Sequence, residues 1–222
     1  MLSDLAEHRA VVLAAVEASR HPSTDSVAVR SVLGPPTSRE VVAELTRPAG
    51  EGNGGYARRI RSGVYRAIRM PVFDHFVPSR REAIPSAYLL PPRFGELARL
   101  LRRQGILVAR LRQPWTGAAE RFAVDTVVLQ PLFEGHRPVT VEGQWGAAAP
   151  LTAAPGWFLV TTDQPLGPLA AYLMEPASED GLATWNLLDR ELQPHADYPI
   201  VRVRRPMAVA ADLVPFPFED AH

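Results

Sequence analysis

Cysteine is absent from the 222 residues, which removes disulfides, thiolate zinc ligands and thiol catalysis from consideration and leaves the compartment undecided. Lysine is absent too, so all 24 basic side chains other than histidine are arginine. Twenty-four acidic residues cancel them to a net charge of zero. No global field therefore steers the chain towards nucleic acid, an anionic membrane or acidic substrates. An all-arginine complement beside abundant Ala and Pro reads as the codon usage of a GC-rich genome rather than as a phosphate-binding surface. No apolar run approaches the roughly 20 residues of a membrane-spanning helix. The opening stretch from Met1 to Ala18 carries Asp4, Glu7, His8 and Arg9, so it lacks the basic end and uninterrupted apolar core of a secretion signal. The chain reads as soluble, with neither nucleic acid nor a membrane as partner.

What is present is enough length to bury roughly 70–75% of the surface an unfolded chain of this size exposes. Ser3 can cap a first helix in which Leu5, Val12 and Val16 share a face, ending near His21-Pro22 because proline disfavours helix before it. Val27–Leu33 and Val41–Leu45 are β-branched runs bounded by proline, and Gly50–Gly55 is a flexible turn leading to an Arg-rich strand over Tyr56–Met70. Ile84–Leu90 then predicts a strand, Pro92 opens a helix with an apolar stripe of Phe94, Leu97, Ala98 and Leu101, and Gly105 ends it. Ile106–Leu111 follows as a strand that is apolar except at Arg110. This β-α-β segment predicts two parallel strands beside one covering helix.

Beyond Trp115 the period becomes two. Phe122, Val124, Thr126 and Val128 alternate along one strand, Glu134-Gly135-His136 turns, and Val139, Val141, Gly143 and Trp145 return. Trp157–Thr161 predicts another strand, Leu166, Leu169, Ala170 and Leu173 recur at helical spacing until Pro176, and Ile200–Arg204 forms a last strand. The expected fold class is α+β: a β-rich mixed sheet or sandwich-like domain with a β-α-β insertion and an N-terminal helix. Residues 1–24 form a helical leader or linker, 25–205 the β-rich domain and 206–222 an irregular C-terminal arm.

The run Leu173–Asn186, with Glu175-Pro176, Asp180-Gly181 and Trp185 in order, follows Ile84–Pro91, Leu100–Ile106, Pro155–Val160 and Gln164–Leu166. This series, from about Met70 to Asp189, resembles the C-terminal region of long bacterial zinc carboxypeptidase-family proteins, the carboxypeptidase A-like metallopeptidases. The resemblance implies a zinc ion held by two His and one Glu, with a further carboxylate to activate its water. The family signature places the first His three residues before the Glu. Here His8, His21, His75, His136 and His195 are followed at that offset by Val11, Thr24, Pro78, Val139 and Tyr198, and His222 is the last residue. No catalytic, cofactor-binding or metal-ligating residue carries over. The expected partner is an upstream peptidase domain holding the zinc, and this chain is expected to be a separated or truncated accessory portion with no cofactor of its own.

Other constellations have bland readings that outweigh the chemical ones. Glu175, Glu179 and Asp180 beside Gly181 lack the alternating ligands of a calcium loop and read as a helix-ending turn. Trp185, three from both Leu182 and Leu188, reads as a buried anchor before a sugar platform. Asp74-His75 and Asp163 with Ser178 or Ser62 make a hydrolytic triad only on paper, without a Gly-x-Ser-x-Gly elbow. Gly50–Gly55 lacks the Lys-Ser/Thr ending of a P-loop. Arg58, Arg59, Arg61, Arg66 and Arg69 read as a solvated strand face before an acidic-peptide site. Two functional alternatives remain beside the accessory domain. One is a stand-alone glycan- or peptide-binding module, which would display a row of open aromatics where Trp145, Trp157 and Trp185 lie. The other is an autonomous hydrolase, which would join His75 or His136 to a carboxylate and a nucleophile.

Overall fold

The computed structural model describes residues 6–19, 25–51 and 57–216. The Gly-rich turn between the long strands falls largely outside that set, as do His21, His222 and the capping residue Ser3. Chain packing divides the molecule into two units, residues 1–30 with 79–222, and residues 31–78. No helix among the described residues is long and apolar enough to cross a membrane.

The smaller unit is dominated by an antiparallel ribbon of β2 (Thr37–Glu51) and β3 (Ala57–Val72), with register shifts between Glu44 and Thr46 and between Pro48 and Glu51. Both strands expected from the β-branched and Arg-rich runs are present. Most of the ribbon's side chains face solvent, including Val42, Val64, Tyr65 and Met70.

In the larger unit α1 (Arg9–Ser19) buries none of its side chains. β1 (Ser26–Leu33) pairs with β4 (Phe76–Ala83). The central sheet has five strands in the order β12–β5–β11–β6–β13, from Val201–Val203, Ala87–Leu90, Phe158–Thr161, Ala109–Leu111 and Ala211–Leu213, and every neighbouring pair is antiparallel. β5 and β6 thus run in the same direction, but β11 lies between them. The helix joining them follows a 3-10 turn at Pro92–Phe94. This α2 (Gly95–Arg103) buries Leu97, Ala98 and Leu101 and ends before Gly105. Gly105 has a φ of 86°, a conformation that costs a side-chain-bearing residue energy.

Alternation sorts the sheet's side chains onto two cores. Tyr88, Leu90, Phe158 and Val160 face the first, where they meet α2, α3 (Gly167–Met174) and the pair β8 (Phe122–Leu129) and β9 (Val139–Trp145). Ala87, Leu89, Leu159, Val201 and Val203 face the second, which is closed by Ala119 and Ala153 from β7 (Trp115–Ala119) and β10 (Ala149–Ala153).

Three details depart from the sequence expectation. A bulge between Val124 and Thr126 breaks the period of two in β8, so Val127 packs on the core while Val128 is exposed. In α3 the buried face is Ala170, Ala171 and Met174, and Leu169 turns outward. Within the stretch read as an irregular arm, Ala211–Leu213 supplies the terminal strand of the central sheet, and the Val214 N–H continues the pairing to the Val108 carbonyl at 2.8 Å.

Candidate functional site

The C-terminal end of α3 places a carboxylate inside the first core. Pro176 prevents the helix from continuing, and Glu175 turns extended at φ −68°, ψ 127°. Its side chain is 1% exposed. One oxygen accepts a hydrogen bond from the Tyr88 hydroxyl at 2.6 Å and the other from the Trp145 indole N–H at 2.8 Å. The Arg202 Nη1 stands 3.5 Å from Glu175 and 3.6 Å from Glu82, without a hydrogen bond to either. Arg202 donates through Nε to Glu120, and its guanidinium carbon lies 4.1 Å from the Trp145 ring centroid.

This pair belongs to a longer alternation of charge. Glu120 also accepts from Arg204 at 3.0 Å, Glu82 from Arg80 at 3.0 Å, and Glu142 joins Arg80 at 3.3 Å to Arg30. Arg30 further donates to the carbonyls of Ala177 and Val141. The run Arg30–Glu142–Arg80–Glu82–Arg202–Glu120–Arg204 therefore ties β1, β4, β9, β12 and the end of β7 together, with Glu175 branching from Arg202. Burial raises the Glu175 carboxyl, and the bonds from Tyr88 and Trp145 with the Arg202 charge only partly oppose it. Burial acts on Glu120 in the same direction, but there the bonds and charges of Arg202 and Arg204 win and the carboxyl is lowered. Burial, with the neighbouring Glu175, also raises the Tyr88 and Tyr198 hydroxyls. The Tyr198 hydroxyl is buried without a hydrogen-bond partner. Arg202, Glu120 and Glu175 are nearly closed off from solvent and offset one another's charge, an arrangement suited to fixing the register of strands rather than to attacking a substrate.

No motif or spacing singles out Arg202, although Val201 and Val203 flank it in a strand and alternation turns it to the opposite face. Glu175 lies at the end of the helix as its flanking Pro176 predicts, and no local signal marks it as a buried anchor. Glu179 and Asp180 are exposed. The Trp185 expectation is corrected: it is 44% exposed, stacks on His136 with centroids 4.2 Å apart, and donates its N–H to Asp180. His136 bonds to Asn186 at 2.9 Å rather than to a carboxylate. Trp145 and Trp157 are half-buried.

Asp74 and His75 are hydrogen-bonded at 3.2 Å in the smaller unit, and this bond leads the influences that hold the Asp74 carboxyl below its usual range. The His75 ring covers Gly34, where a Cβ would fall 2.4 Å from Nε2. Ser62 donates to the Leu45 carbonyl in the same unit, while Asp163 and the buried Ser178 belong to the larger one. Arg59 and Arg61 engage Thr46 and Glu44 across the exposed ribbon.

Among the described residues no group of three or more His, Asp or Glu side chains is placed to hold a metal ion. The zinc ion implied by the resemblance thus does not fit the described residues of this chain.

The chain is 28% identical over 121 residues to Carboxypeptidase 2 of Trichophyton rubrum, covering 54% of this chain and 22% of that protein. It is 28% identical over 120 residues to Carboxypeptidase 2 of Trichophyton tonsurans, with the same coverage of each. The similarity thus spans about a fifth of the length of these fungal relatives and marks a carboxypeptidase-related region. No family model matches, and no solved structure matches.

Proposed function

We propose that this chain is a non-catalytic, β-rich accessory domain of a zinc carboxypeptidase-like metallopeptidase, packing on or shaping the cleft of a peptidase domain that lies outside it. The observation that carries the proposal is the similarity to a limited segment of proteins named carboxypeptidases. Two features support it. Glu175 is almost wholly buried, with its two oxygens taken by Tyr88 and Trp145 beside Arg202, which leaves it no access to a substrate. The β2–β3 ribbon exposes Val42, Val64, Tyr65 and Met70, and a two-stranded ribbon alone is marginal in water, so a partner surface would stabilise it.

The test has two arms. The purified chain is assayed for zinc by elemental analysis and for release of C-terminal residues from blocked peptides, and neither stoichiometric metal nor turnover is expected. It is then mixed with a separately produced zinc-carboxypeptidase catalytic domain, where association that weakens for Tyr65→Ala is expected. Stoichiometric zinc with turnover by the chain alone would sink the non-catalytic reading, and no association would sink the packing role.

A further inference from the structure

A cleft of about 630 Å³ in the larger unit is lined in part by Arg99, Arg110 and Arg112. Arg110 is in register with Phe158 on one side and Asp212 on the other. It therefore shares the face of core residue Phe158, at the place where the row Leu90–Phe158 runs out from beneath the start of α2. A Cβ on Gly95 would sit 3.9 Å from the Phe158 ring, which fixes how closely that helix start covers the sheet. An apolar residue at 110 would extend the core outward. Arginine there keeps the floor of the cleft polar.

Among the described residues the charges that line the cleft do not balance. Asp212 supplies one carboxylate against three guanidinium groups. Arg112 reaches Asp212 at 3.4 Å with both side chains more than 60% exposed, a pair that water screens. Arg99 pairs with Glu96 along the exposed surface of α2. Arg110 makes no hydrogen bond or ion pair among the described residues. In a chain of zero net charge this is a local concentration of positive charge with an uncommitted guanidinium at its centre. The remaining wall is apolar, formed by Phe158, Leu213 and Val214 among others.

We infer that this cleft binds an extended acidic peptide segment in which carboxylate side chains alternate with aliphatic ones. Guanidinium forks match carboxylates in geometry and charge, and the apolar wall takes the intervening aliphatic groups. The volume lies in the range of sites that enclose several residues' worth of ligand, whereas a simple anion would leave Phe158 and Leu213 untouched.

The test is fluorescence anisotropy of the whole chain titrated against a fluorescein-labelled, C-terminally amidated Leu-Glu-Val-Glu-Leu-Glu peptide at low salt. Saturable binding is expected, with affinity falling at least about tenfold when the glutamates are replaced by glutamine, or when the protein carries Arg110→Gln with Arg112→Gln, as loss of a charged hydrogen bond implies. Thermal melts of the variant should match the parent, since both side chains are exposed. The single Arg110→Gln variant, which removes no partnered group, must show at least about a fivefold loss by the same reasoning. Amide shifts on peptide addition should centre on Gly156 and Leu213. No saturable binding, equal binding of the glutamine peptide, smaller losses in the variants, shifts centred elsewhere, or full displacement of the peptide by equimolar inorganic phosphate would each overturn the inference.

Discussion

Arg202 lies across the face of Trp145, with 4.1 Å from guanidinium carbon to ring centroid, while Trp145 directs its N–H into Glu175. The cation, the indole and the carboxylate thus form a closed set in which each group desolvates and compensates the others. Removing the arginine leaves Glu120, Glu82 and Glu175 facing one another with little solvent. Arg202→Leu should lower unfolding free energy by about 3–5 kcal/mol, the cost of breaking a buried ion pair on one side. Urea denaturation followed by tryptophan fluorescence measures it, and a loss under about 1 kcal/mol would show that the carboxylates find other compensation.

The same network predicts two opposite pH dependences. Glu175 has a folded-state carboxyl raised above its ordinary value of 4.5. The folded state then holds this proton more tightly than the unfolded one, so the contribution is fully present below the unfolded value and is lost as pH rises through the folded one. Glu120 is lowered, so its contribution is present above the unfolded value and is lost as pH falls through the folded one. Melting temperatures measured from mildly acidic to neutral pH should therefore decline more for the parent than for Glu175→Gln. Below the ordinary carboxylate range, Glu120→Gln should flatten the acid loss. Parallel profiles for parent and Glu175→Gln would show that Glu175 titrates alike in both states.

Opposite the β8 bulge, a Cβ on Gly143 would fall 2.1 Å from the Ala123 carbonyl oxygen and 2.7 Å from the Phe122 ring. The first obstacle is backbone in a paired strand, which cannot swing aside as a side-chain end would. Gly143→Ala should cost about 2–3 kcal/mol through overpacking and shift the amide signals of β8 around Asp125. Gly135→Ala, with a φ of 88° and open space around its Cβ position, should cost about 1 kcal/mol from backbone strain alone. Equal costs for the two would remove the close-approach argument.

Local chemistry made much of this fold legible. Pro92 and Gly105 bracket α2, Pro176 ends α3, and the Glu134-Gly135 turn returns β8 onto β9 with Phe133 and His136 bonded in both directions. The parts that were not legible depend on partners far away in the chain. β4 reads Phe-Val-Pro-Ser-Arg-Arg-Glu-Ala, with Pro78 inside it, three consecutive charged residues and no alternation, and its partner β1 lies some fifty residues earlier. Asp212 sits mid-strand in β13, which exists because β6 offers an unpaired edge. Glu120 and Arg202 are 82 positions apart, so no spacing rule could join them. Arg110 was visible as the polar interruption of an apolar run, but not as the floor of a cleft.

Trp185 and Trp145 offer the sharpest contrast between sequence expectation and structure. Spacing from Leu182 and Leu188 makes Trp185 look like an anchor, yet its chain turns through Asn186 at φ 63° and leaves the indole at the surface, flat against His136. Trp145 instead packs edge-on to Phe122 with centroids 5.4 Å apart and holds Glu175. Trp145→Ala should cost about 3–5 kcal/mol, as for a large core truncation that also strands a carboxylate. Trp185→Ala should cost no more than about 1 kcal/mol, since it loses one stacking contact and a solvent-screened hydrogen bond. Acrylamide should quench the fluorescence lost in Trp185→Ala more efficiently than that lost in Trp145→Ala. If Trp185→Ala were the more damaging variant, the segment Gly181–Leu188 would have to close over its indole in solution.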